Sequence, residues 1–139
     1  MTNSPRPALG PRAVVAGHGT FATGVTSSVA RICGRSDVFR SISNEGLDAR
    51  GVEEAISAAL KEHSATVIFT DLPAGSCTMA ARRIARLDSS VSIVTGATVA
   101  MLLDFAMGTG ASETDLRRAA ERGREAIVVY PSSGGTGAA

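Results

Sequence analysis

Along the chain, short β-branched runs alternate with longer segments in which alanine and apolar residues recur at helical spacing. "AVVAG", residues 13–17, predicts a strand and Phe21 to Cys33 a helix; "DVFRSIS" then predicts a second strand and Val52 to His63 a second helix. The alternation continues through "ATVIFTD", the clearest strand, a helix over Ser76 to Leu87, the strand "VSIVTG", and helices over Val99 to Met107 and Glu113 to Arg122. A last strand is expected in "EAIVVY". This rhythm predicts an α/β fold: a doubly wound, mainly parallel central sheet with helices on both faces and right-handed crossovers. The expected strand order, 2-1-3-4, makes the first and third strands neighbours. With Pro and Gly breaks before Arg12 and "PSSGGTGAA" after Tyr130, the ends are poor in large apolar residues, so residues 1–11 and 131–139 read as flexible flanks of one domain spanning 12–130.

Doubly wound sheets build their sites from loops at the carboxyl ends of the strands. His18 stands at the end of the first strand, Asp71 at the end of the third, and Thr95-Gly96 at the end of the fourth. Glycines on both sides of His18 let the backbone turn and leave room for a partner to approach the ring. A carboxylate such as Asp71 can hold the proton on one imidazole nitrogen and leave the other lone pair free to attack. After Asp71 comes "LPAGSCT", with a helix starting near Ser76, and the free N–H groups of a helix start favour a phosphoryl group. Ser76 and Thr78 add hydroxyls. Each feature has an ordinary alternative: a strand-end histidine bonded at a turn, a serine that is only a helix cap. Together they point to phosphoryl transfer through a phosphohistidine.

Composition narrows the classes. The 139 residues are 44% hydrophobic, enough for a sizeable single core. Net charge is +1 and Lys61 is the only lysine, so no basic stripe predicts nucleic-acid binding. No apolar run approaches the length of a membrane-spanning helix, and "MTNSPRPALGPR" lacks the apolar core of a signal peptide, so a cytoplasmic location is expected. Cys33 and Cys77 form no CxxC or Cys/His cluster, and neither a P-loop lysine nor a carboxylate cluster for Mg²⁺ is present; no metal or other cofactor is expected. His63, in the last turn of its helix, reads as a carbonyl cap, and Arg82, Arg83 and Arg86 as a solvated face. Phe21 reads as core beside the site, and Cys77 as a small packing residue, with oxidation sensitivity as the alternative.

The chain resembles the IIA components of the mannose-type branch of the bacterial sugar phosphotransferase system (PTS). The likeness covers about Arg12 to Val129 and rests on the strand ending in "GHG", on "TDLPAGSCTMAARRIA" and on "VTGATVAMLLDFA". "GHGTFATG" is most similar to the N-acetylgalactosamine-type members. The resemblance implies that His18 accepts a phosphoryl group from the carrier HPr and passes it to a IIB component, with Asp71 orienting it and Gly19, Gly75 and Ser76 at the phosphoryl pocket. It also implies a homodimer, in which Ala126 to Tyr130 pair antiparallel as the last strand and reach the other subunit. Contact with the membrane would be indirect, through the transporter. Ala74, Cys77, Thr98 and Ala100 depart from the family pattern at the pocket rim, where glycine, proline, asparagine and proline are usual.

Other classes fit less well. The phosphotransfer subunit of a dihydroxyacetone kinase shares the fold, but commonly has serine where Gly19 stands. A histidine phosphatase needs arginine at the position of Gly17 and a second catalytic histidine. A non-catalytic receiver-like module needs paired acids at the first strand and a lysine near the last, and "VVAGHG" supplies no acid.

Overall fold

The first strand, β1 (Ala13–Gly17), is buried along its whole length. A strand covered on both faces reads as a continuous apolar run, and its side chains alternate between two cores. Ala13 and Val15 join one cluster, Val14 and Ala16 the other. The computed structural model describes residues 10–35 and 37–134. After β1 follow α1 (Phe21–Cys33), β2 (Phe39–Ser43), α2 (Ala49–His63), β3 (Val67–Thr70), α3 (Ser76–Leu87), β4 (Ser92–Val94), α4 (Val99–Met107) and α5 (Glu113–Glu125).

The four strands are parallel in the order β2-β1-β3-β4, as the alternation predicts. On one face α1, α4 and α5 close a core around Phe39, Phe69 and Phe105. Phe69 meets Phe105 edge-on at 5.1 Å between ring centroids, a favoured aromatic geometry. On the other face α2 and α3 cover Val14, Ala16 and Ile68 with Val52, Ile56, Ala80 and Ile84. Arg12 ties the start of β1 to the end of α4. Its guanidinium donates to the carbonyls of Phe105, Gly108 and Gly110 at 3.0, 2.8 and 2.7 Å. It also lies 4.5 Å over the Phe105 ring.

Helix boundaries follow local chemistry. α1 stops at Gly34, whose φ of 75° is left-handed. α2 starts three residues before Val52 because the Asp48 carboxylate accepts from Gly51 N–H at 2.8 Å. α5 runs past Arg122 to Glu125, and Gly123 within it lets Met101 and Thr98 come close.

The closing strand expected at Ala126–Tyr130 is not formed by the chain itself. Ala126 caps α5 in helical geometry, and the residues after it have no strand partner among those described. Ile127 and Val129 are 76% and 79% exposed. A strand needs an edge alongside it, and the segment leaves α5 without the loop that a return to β4 requires. The free edge of β4 instead borders an open groove of about 540 Å³, lined by Ile93, Val94, Leu116 and Ala120 among others. Of the expected flanks only residues 10, 11 and 131–134 are described; the rest of 1–11 and 131–139 lies outside the described residues. Among the described residues no helix is long and apolar enough to cross a membrane.

Candidate functional site

Parallel register brings the site together. Ala16 of β1 lies opposite Thr70 of β3, so the loops after these two strands emerge side by side. His18 and Asp71 are the first residues after β1 and β3. Asp71 Oδ2 lies 2.7 Å from His18 Nδ1 and accepts the His18 backbone N–H at 2.9 Å. Partial burial pushes the Asp71 carboxyl up, but the hydrogen bonds from the His18 ring and backbone outweigh it and hold the carboxyl below its ordinary value. An ionised carboxylate only accepts, so the ring carries its proton on Nδ1, and a neutral ring has its lone pair on Nε2. The His18 side chain is 47% exposed and that of Asp71 12%, so the imidazole is open to approach while the carboxylate that holds it is largely covered.

The other wall is the start of α3. Gly75 caps that helix with φ 127°, a conformation that side chains rarely adopt, and a Cβ there would come within 3.2 Å of His18 Cε1. No side chain caps α3, so its first N–H groups have no side-chain acceptor at the helix end next to the imidazole. At Gly17 a Cβ would fall 2.5 Å from the Phe21 ring and 3.0 Å from Asp71 Oδ2; the close approach of that ring and carboxylate requires glycine. The space above Gly19 is open.

Of the residues expected here from the sequence, His18, Asp71, Gly19, Gly75 and Ser76 are brought to one place. Thr78 is not part of it. Its side chain is buried, and its hydroxyl is held by the Leu72 carbonyl and by Thr70 Oγ1, 2.6 Å away. Cys77 is fully buried; burial, together with the charge of Asp71, pushes its thiol up against a smaller opposite pull from Ser76, so it is a packing residue rather than a reactive thiolate. Phe21 packs against the core. His63 lies outside the site and caps nothing: the end of α2 is closed by backbone N–H groups of Ser64 and Ala65, and His63 Nε2 has no hydrogen-bond partner among the described residues. Arg83 is bound to Glu53 at 2.6 Å, whereas Arg82 and Arg86 are exposed.

Two residues at the end of β2 escaped the sequence reading. The Ser43 hydroxyl donates to the Gly19 carbonyl at 2.8 Å, and Asn44 donates through its backbone N–H to the Gly17 carbonyl and through Nδ2 to Ser76 Oγ, at 3.2 and 3.1 Å. "SISNEG" carries only a turn signal; contacts 24 and 32 residues away in sequence leave no local pattern.

The parallel order brings the carboxylate-held imidazole and the uncapped start of α3 together at the carboxyl ends of β1 and β3 in an α/β fold. The family model described as the PTS system fructose IIA component, EIIA-man, matches residues 12–121, and the chain belongs to this mannose-type IIA family. It is thereby a phosphoryl carrier of PTS sugar uptake. Solved structures agree in fold. A PTS component EIIA from Streptococcus agalactiae superposes with a TM-score of 0.76 at 18% identity, covering 85% of this chain and 95% of that one. A mannose/sorbose specific IIA subunit from Enterococcus faecalis gives 0.75 at 20% identity, covering 88% and 96%. A PTS IIA protein associated with the fucose utilization operon of Streptococcus pneumoniae gives 0.75 at 21%, covering 88% and 94%. A search of curated proteins found no match.

Proposed function

We propose that His18 is the phosphoryl acceptor, taking the group from a phosphohistidine of HPr and passing it to a IIB component. The observation that carries this reading is the pair of hydrogen bonds to Asp71 Oδ2, one from the backbone and one at Nδ1; the second supports a proton on Nδ1 and Nε2 as the nucleophile. In the first transfer the Nε2 lone pair forms the new N–P bond while the P–N bond to the donor imidazole breaks, and the departing imidazole keeps that electron pair. The second transfer runs the same way with His18 as the leaving group. No proton moves at phosphorus in either step. The outgoing oxygens are met by the N–H groups at the start of α3, around Gly75 and Ser76, with Gly19 leaving the approach open. This mechanism uses no metal or cofactor.

The "GHGTFATG" motif supports an amino sugar such as N-acetylgalactosamine as the transported substrate. The exposed 127–130 segment and the free edge of β4 support a homodimer in which each chain lends its last strand to the other. Both partners act from the cytoplasm, where HPr resides.

The test is incubation with phosphoenolpyruvate, enzyme I and HPr, followed by intact-mass detection. One acid-labile phosphoryl group is expected on the wild type and none on His18→Ala. Asp71→Asn should label about 10- to 100-fold more slowly, the loss of a charge-assisted hydrogen bond. Equal labelling of His18→Ala would sink the assignment.

A further inference from the structure

We propose that Asn44 is a positioning residue of the phosphoryl pocket, acting through Ser76; the inference rests on His18 bearing a phosphoryl group. Asn44 lies just beyond β2, which flanks β1 on the side away from β3, and among the described residues it is the one side chain from there that hydrogen-bonds to the start of α3, Nδ2 to Ser76 Oγ at 3.1 Å. Its backbone is anchored as well, through its N–H to the Gly17 carbonyl at 3.2 Å. Donor and acceptor are both partly buried, so the contact is not readily exchanged for water.

A hydroxyl has one proton to give and two lone pairs to offer. When Asn44 occupies a lone pair of Ser76, the hydroxyl turns its proton outward. Ser76 directly follows Gly75, the residue that abuts the His18 ring, and in this proposal its proton is offered to the phosphoryl oxygens on Nε2 rather than to the neighbouring Cys77 thiol. Those oxygens are acceptors only: a donating hydroxyl attracts them and one presenting its lone pair repels them. Asn44 selects the attracting state without adding charge to the pocket. A carboxylate in its place would take the Ser76 proton for itself.

A double-mutant cycle on the full chain tests this, read with two donors. Phosphoramidate labels histidine without a protein partner: the Nε2–P bond forms as the donor's P–N bond breaks, and ammonia leaves with the electron pair. HPr~P supplies the second readout. Asn44→Ala and Ser76→Ala are each expected to slow labelling of His18 about 5- to 10-fold, with the effect in kcat and not in KM for HPr~P. The double variant should be no slower than Ser76→Ala alone, and Asn44→Asp should be slower than Asn44→Ala. Thermal melts and the His18 Nδ1–H resonance show whether each variant retains its fold and the Asp71 bond. Independent losses that multiply in the double variant, or a wild-type rate for Asn44→Ala, overturn the proposal even if HPr~P labels His18 normally. Labelling by phosphoramidate with the predicted coupling, but none by HPr~P, keeps Asn44 in its role and removes the HPr relay. No labelling of wild-type His18 by either donor overturns both.

Discussion

Asp71 Oδ2 takes two hydrogens from the same residue, one from the His18 ring and one from its backbone, and so fixes the ring against its own strand end. This has a pH signature. Because the folded carboxyl holds its proton less tightly than the unfolded one, the stability it contributes is complete above the ordinary carboxylate value of about 3.9 and is lost as pH falls through the lower folded value. Urea denaturation of wild type across an acidic pH series should therefore show a steeper loss below about pH 4 than Asp71→Asn does; parallel curves would mean the bond contributes nothing. Gly75 makes a second test. Gly75→Ala places a methyl at a φ of 127° within 3.2 Å of the imidazole and is expected to cost about 1–3 kcal/mol of stability and to slow His18 labelling by about tenfold or more. His18 and Asp71 were legible in the sequence because their residue types fall directly after apolar runs, where strands end. Asn44 was not, since the turn after β2 that carries it has no local chemical pattern and its partner lies on another element.

Among the elements, those with a chemical full stop were read best. The sequence places α1, α3 and α4 where the structure has them, each bounded by glycine, threonine or aspartate. α2 and α5 each extend three residues beyond the expected helix, one through the Asp48 cap and one through a glycine that packing tolerates. The tie between β1 and α4 had no local sign at all: Arg12 reaches carbonyls more than 90 residues away. A guanidinium serving several carbonyls at a helix end is not replaceable by a single ammonium. Arg12→Ala should lower unfolding free energy by about 2–4 kcal/mol and Arg12→Lys should recover less than half of that, measured in urea. Labelling of His18 in the folded variants should match wild type, because Arg12 sits at the opposite end of β1.

For the whole molecule, the sheet order was legible because strand–helix alternation leaves few parallel topologies, whereas the fate of "EAIVVY" was not: an apolar β-branched run favours a strand but does not say whether the chain offers it an edge. If the segment pairs with the β4 edge of a second copy, sedimentation should give twice the 14.1 kDa chain mass, and Val128→Asp should shift the species to the monomer; a wild-type monomer at all concentrations would remove the strand exchange. The two cores described above have another consequence. Helices α2 and α3 rest on one, α1, α4 and α5 on the other, and only the strands belong to both. His18 and Asp71 ride at the strand ends, while Gly75 and Ser76 ride on α3. Opening of the α2–α3 layer alone, a partial unfolding that native-state hydrogen exchange resolves, would carry Gly75 and Ser76 away from the imidazole and leave the imidazole–carboxylate pair standing on the sheet.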